Sequence, residues 1–180
     1  MSSLLTTSDG KVLMYNGEIL TTPDVYIDMA EGTMTSFDNA QVTKLKTGLF
    51  WGCTQLSEVN CPNVSSVGYR TFYNNTGLTQ VNLPGASLSF QSQAFMGCTN
   101  LTTVSMPNVI RISAYAFSGC TNLKNIYMNN VSALPTTLST TFGGLTSGSV
   151  TVVFSTAALC TAAANSTYWS SVNASTVAAT

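Results

Sequence analysis

The sequence predicts a mostly β fold: a short solenoid with a stacked parallel sheet, an N-terminal β-hairpin arm and a small α/β C-terminal cap. Three observations predict it. Four segments beginning at Leu49, Thr71, Ala94 and Ala116 align with one another. Apolar columns keep one register through all four. The flanking segments break that register and carry hairpin and helix signals instead. The expected boundaries are 1–34 for the arm, 35–149 for the solenoid and 150–180 for the cap.

The arm comes first. Lys11 to Tyr15, then Asn16-Gly17, then Glu18 to Leu20 reads as a hairpin, because Asn-Gly accepts the positive φ angles of a type I′ turn. Ser8-Asp9-Gly10 is a second turn signal, and Asp24 to Met34 is a candidate for a further strand pair. The arm holds six of the thirteen charged residues and least of the repeat, so it is expected to dock on a neighbouring chain rather than on its own repeats. Phe37, Val42 and Leu45 stand one full repeat before Val59, Val64 and Val67, which makes residues 35–46 a degenerate first repeat.

The repeats carry the fold. The aromatic column is Phe50, Phe72, Phe95 and Phe117, with steps of 22, 23 and 22. Leu56, Leu78, Leu101 and Leu123 keep those steps, as do Val59, Val81, Val104 and Ile126, and Cys61, Leu83, Met106 and Met128. Alternate residues of a strand point to one face. Each Leu-x-x-Val-x-apolar segment is therefore expected to be a strand with its partners one repeat away. The expected strands lie within 56–61, 78–83, 101–106 and 123–128. One repeat cannot bury its own apolar face, so neighbours must stack. Pro62, Pro84 and Pro107 follow the strands, where a missing N–H ends the ladder.

This period falls in the leucine-rich-repeat range of roughly 20–29 residues. Cys53, Asn75, Cys98 and Cys120 form a column before the strand, where such repeats bond an inward Asn or Cys to loop backbone. Cys53, Cys98 and Cys120 are expected to be buried and unpaired, with a Cys98–Cys120 bridge as the alternative. Cys160 lies outside the column. The motifs AFMGCTNL and AFSGCTNL, followed by Val and Pro, resemble the BspA-type leucine-rich repeats over about residues 48–135. The second repeat departs from them, with TFYNNTGL in place of Gly-Cys. SVTVVFSTAALCTAAANSTYWSSV resembles the closing unit of that family. The resemblance implies binding or adhesion without catalysis, in bacterial surface proteins or phage virions.

In the cap, Val150 to Phe154 is a β-branched strand. Ser155 is the expected N-cap of a helix from Thr156 to Ala164, with Asn165 as its stop. Trp169 is expected to fold back over the last repeat, or else to stack on carbohydrate.

Composition narrows the function. Charged residues make up 7% of the chain, against roughly 25% in ordinary soluble proteins. The net charge of −1 lacks the basic footprint of a nucleic-acid binder. No His occurs, which removes His-based nucleophile systems and His-ligated metal sites. No enzymatic role, cofactor or metal is expected. No window is apolar enough for membrane insertion. The segment from Met1 to Leu20 does not read as a secretory signal, so assembly in a cytoplasm is expected. Nine of the thirteen charges lie in residues 1–46 and none in 125–180. That end is either a polar Ser/Thr/Asn surface or a face turned toward other subunits.

The expected function is a virion structural protein of a bacteriophage: a fibre, a tail or baseplate part, or a capsid decoration. Its partners would be other virion proteins, itself as a homo-oligomer, and a host-surface glycan or protein. The alternative is a bacterial cell-surface adhesin module. The candidate binding face is the open side of the sheet, with one column at Asn60, Asn82, Ser105 and Tyr127 and another at Glu58, Gln80, Thr103 and Asn125. Ser57, Thr79, Thr102 and Lys124 lie beyond them. The alternative for this face is a solvated surface without a ligand.

Overall fold

A computed structural model of the chain describes residues 14–15, 18–19, 34–40, 42–137, 140–145, 149–167, 169 and 172–176. In chain order the strands are β1 (Met14–Tyr15), β2 (Glu18–Ile19), β3 (Ser36–Asp38), β4 (Lys44–Leu45), β5 (Glu58–Asn60), β6 (Ser66–Val67) and β7 (Gln80–Asn82). They continue with β8 (Leu88–Phe90), β9 (Thr103–Ser105), β10 (Val109–Ile112), β11 (Asn125–Met128), β12 (Thr151–Phe154) and β13 (Asn173–Thr176). Helix α1 (Ala157–Ala164) lies between the last two strands.

The strands build two sheets. One has the order β13-β12-β11-β9-β7-β5-β3, and the other β1-β2-β4-β6-β8-β10. Every pairing is parallel except the β1–β2 hairpin. In the seven-stranded sheet the inward residues pair in one line: Phe37, Val59, Val81, Val104, Ile126 and Val152. This is the stack expected from the Leu-x-x-Val columns, and each of its four strands lies within its expected window. The degenerate first repeat is also present, since β3 pairs with β5 and β4 with β6.

The third wall of the solenoid is a run of turns that also bonds coil to coil. Phe50, Phe72, Phe95 and Phe117 donate their N–H groups to Thr71, Ala94, Ala116 and Thr141 of the next coil, at 2.8–2.9 Å. Their side chains form one stack. Successive centroids from Phe50 through Phe117 are 5.2, 4.9 and 5.3 Å apart, with planes within 11° of parallel. These distances mean offset rings, the arrangement the ring quadrupole favours. Phe142 continues the stack at 5.8 Å. Phe37 closes it edge-on at one end, and Trp169 closes it tilted at the other. Trp169 is 2% exposed and also meets Phe154, so it is a core cap. Two residues after each phenylalanine the backbone turns left-handed, at Gly52, Asn74, Gly97, Gly119 and Gly144. Gly fits that conformation without cost, and Asn is among the side chains that tolerate it.

Four features differ from expectation. The six-stranded sheet lies outside the expected strands, in the segments that follow them; its inward residues include Leu45, Val67, Phe90 and Ile112. The N-cap of α1 is Thr156, whose hydroxyl accepts from the Leu159 N–H, while Ser155 Oγ donates to the Val131 carbonyl. Strand β13 follows Trp169, so the cap adds a further strand to the seven-stranded sheet. Finally, β2 pairs with β4 through Glu18 and Lys44. The hairpin therefore extends its own chain's sheet, along the parallel edge that β4 offers. The candidate strands at Asp24 to Met34 and the Ser8-Asp9-Gly10 turn fall outside the described strands and residues.

The cysteine column is buried and reduced, with all five thiols free. Cys98 Sγ donates to the Phe72 carbonyl at 2.9 Å, and Cys120 Sγ to that of Phe95 at 3.0 Å. Asn75 makes the equivalent contact to Phe50 through Nδ2 at 3.4 Å, but its buried Oδ1 has no partner. Burial pushes the Cys53 and Cys61 thiols up from 9.0 to about 12, and raises Cys98 in the same direction.

Three outcomes are expected. Phe95→Ala removes the middle of the stack and lowers unfolding free energy by about 3–5 kcal/mol in urea melts. Asn75→Cys supplies the column's usual thiol, removes the orphaned oxygen and stabilises by about 1–3 kcal/mol in the same assay. Above about pH 9 the unfolded chain ionises thiols that the folded chain keeps neutral. Stability is therefore full below pH 9 and falls as pH rises toward 12, by about 1.4 kcal/mol per pH unit for each such thiol. Urea melts of wild type and Cys61→Ala at pH 8 and 10.5 measure this, with a smaller loss expected in the variant.

Candidate functional site

The outward residues of the seven-stranded sheet form the first candidate surface. Glu58, Gln80, Thr103 and Asn125 pair in one row, and Asn60, Asn82, Ser105 and Tyr127 in the next. All eight residues singled out from the sequence thus share one face, because period-2 alternation sends their inward neighbours to the core. Along this face the side chains bond up the stack. Asn82 Nδ2 donates to Asn60 Oδ1 at 2.8 Å, and Asn60 Nδ2 to Asp38 Oδ1 at 3.0 Å. Gln80 Nε2 donates to Glu58 Oε1 at 2.5 Å. These bonds hold the amides in a fixed row. A shallow groove of about 210 Å³ runs over Val59 and Val81 between these side chains and ends at Thr103 and Ser105. Tyr127, 37% exposed, stands one strand further on.

The third column is different. Ser57, Thr79 and Thr102 donate their hydroxyls to the carbonyls of Thr35, Ser57 and Thr79 in the preceding coil, at 2.8–3.0 Å. These donors are committed to holding coils together, so this column belongs to the scaffold.

A second surface has no counterpart among the sequence expectations. It lies on the edge between the six-stranded sheet and the phenylalanine turns. Trp51 and Tyr69 are exposed, and Trp51 meets Tyr73 edge-on at 5.4 Å. The Arg70 guanidinium lies 4.9 Å from the Tyr69 and Tyr73 rings and 5.4 Å from that of Trp51. Arg70 Nε donates to Gln93 Oε1 at 2.5 Å. A hollow of about 380 Å³ opens between Thr47, Gly48, Trp51, Tyr69 and Arg70. A signal for it exists in the sequence. Trp51 and Tyr73 stand one repeat apart, each directly after a buried phenylalanine, so both must face out.

Charge separates the two surfaces. Asp38 and Glu58, the carboxylates whose side chains are described, lie on the seven-stranded sheet. Lys44 and Arg111 are exposed on the six-stranded sheet, in the row Lys44, Ser66, Ser89, Arg111. Among the described residues no three His, Cys, Asp or Glu side chains gather to hold a metal ion. No helix among them is long and apolar enough to cross a membrane.

Comparison with known proteins places this architecture. The BspA type leucine rich repeat region matches residues 31–142 in six copies. The chain therefore belongs to the BspA-type leucine-rich repeat family, in keeping with its AFxGCTNL motifs. A leucine-rich repeat protein from Eubacterium ventriosum is similar at 25% identity and a TM-score of 0.53, over 61% of this chain and 30% of that one. A leucine rich cell surface protein from Faecalibacterium prausnitzii is similar at 19% identity and a TM-score of 0.41, over 69% of this chain and 37% of that one. The chain thus spans about a third of the length of these two structures. No curated protein matches. None of these matches is a virion protein, so the virion expectation gains no support from them.

Proposed function

We propose that the protein is a non-catalytic recognition module of the bacterial cell-surface adhesin type, binding a neutral oligosaccharide across its seven-stranded sheet. One observation carries this reading: eight outward polar side chains form a single face, with the amides of Asn60, Gln80 and Asn82 held in line by inter-coil hydrogen bonds. Such a row presents fixed donors and acceptors at the spacing of parallel strands, roughly 4.8 Å. Solenoid proteins use sheets of this kind as extended binding surfaces. Tyr127 supplies an aromatic face at one end, and the Asp38 and Glu58 carboxylates disfavour an anionic ligand. Family membership supports the adhesin reading over the virion one. The absence of His and of any clustered nucleophile and base among the described residues supports a binding role over a catalytic one.

Binding of the purified chain to an array of neutral and acidic oligosaccharides tests this. Wild type is expected to bind neutral members. The double variant Asn82→Ala, Tyr127→Ala is expected to lose that binding by at least about tenfold, roughly 1.4 kcal/mol, with an unchanged circular dichroism spectrum. Equal binding by the variant would show that this face is only solvated surface.

A further inference from the structure

The geometry points to a second binding site, independent of the sheet face: the Trp51–Tyr69–Arg70 hollow takes a carboxylate-bearing pyranose, an acidic sugar. The hollow's volume of about 380 Å³ falls in the range of small-molecule sites, roughly 300–1,000 Å³. Two of its described lining residues are aromatic, and the charged group among them is a guanidinium. An acidic pyranose matches that pairing. Its C–H face stacks on an indole or phenol ring, whose π face is negative, and its carboxylate meets the planar fork of an arginine.

Arg70 is prepared for this role. Among the described residues it has no carboxylate partner; its contacts are Gln93 and three rings. The Gln93 bond occupies Nε and leaves both Nη groups, the outer edge of the fork, for a ligand. The ring contacts hold the guanidinium in place, so little ordering remains to be done on binding. An adjoining hollow of about 450 Å³ shares Thr47 and is lined by Lys44 and Lys46. An oligosaccharide with a second anionic unit would run toward these lysines along the six-stranded sheet. A peptide carboxylate is the competing ligand. An extended peptide gains most by adding a strand to an open sheet edge, whereas β4 and β6 beside the hollow have partners on both sides.

The backbone provides a clean test. Arg70 has φ 53°, and the same turn position one coil earlier is Gly48 at φ 65°. Glycine suits this left-handed position, so Arg70→Gly removes the side chain without threatening the fold. The full chain is titrated with a glucuronate-terminated disaccharide and with N-acetylneuraminyl-lactose. The glucose-terminated disaccharide, lactose and a tripeptide ending in a free aromatic carboxylate serve as comparisons. Indole N–H resonances report the site, since Trp51 is exposed and Trp169 is buried.

At least one acidic sugar is expected to shift the Trp51 signal saturably and leave Trp169 in place. Its neutral counterpart should bind at least about tenfold more weakly. Arg70→Gly should lose the acidic preference with its melting temperature unchanged or raised. The Asn82→Ala, Tyr127→Ala variant should bind the acidic sugar like wild type, which separates this site from the sheet face. The proposal is overturned by equal affinity for acidic and neutral sugars, by undiminished binding in Arg70→Gly, by stronger binding of the tripeptide, or by no Trp51 shift with either acidic sugar.

Discussion

Parallel, in-register stacking is the constraint on which everything else depends. Once each coil lies on the next in a constant register, each side chain sits on its own column's counterpart. Every column must then be able to stack on itself. Phenylalanine does so through offset rings, threonine and serine through hydroxyls reaching the carbonyl below, and asparagine through amide-to-amide bonds. The same requirement sets the ends of the stack. A flat ring leaves a flat ring exposed, so the terminal rings need a differently oriented partner. Phe37 edge-on at one end and Trp169 tilted at the other serve that purpose.

This constraint also explains which parts of the fold are legible. A column with four members in constant register, such as Phe50 to Phe117, stands out because identical environments select similar residues. The seven-stranded sheet follows directly from such columns. The six-stranded sheet is harder to read because strands such as β4 and β6 are too short to display alternation. Its inward members also vary in kind, from Leu45 and Val67 to Phe90 and Ile112. Phe142 hides for another reason: it stands further along the chain from Phe117 than the other stacked rings stand from one another. Its ring and the left-handed Gly144 nevertheless keep their places in the stack. The shift of the N-cap from Ser155 to Thr156 reflects competition for a hydroxyl, since the Val131 carbonyl captures Ser155.

The candidate surfaces are only half legible, and the reason is physical. Outward positions need not match their neighbours, so function-bearing residues there break columns rather than form them. The sheet face can be found because strand alternation locates every outward residue once the inward ones are known. The aromatic edge lies in turns, where no simple period marks the outward side. The buried Phe50 and Phe72 locate it only when the residue after each is read as necessarily facing out.

The aromatic edge weakens toward the C-terminal coils. The outward column that begins with Trp51 and Tyr73 continues as Met96 and Ser118. The amide row of Asp38, Asn60 and Asn82 continues as Ser105 and Tyr127. The scaffold columns do not fade in this way: Phe117, Cys120 and Ile126 repeat the pattern of Phe95, Cys98 and Val104. Folding alone does not require the Trp51 and Tyr73 rings, because the later coils stack equally well with Met96 and Ser118 in their places. The aromatic edge therefore belongs to the early coils, whereas the sheet face runs from Asp38 to Asn125 and Tyr127. Among the described side chains, the early coils carry the carboxylates Asp38 and Glu58 on the seven-stranded sheet and cations toward the six-stranded one. A short stack with two unlike walls thus presents two chemically distinct surfaces, while the later coils continue the phenylalanine stack that the Trp169 cap closes.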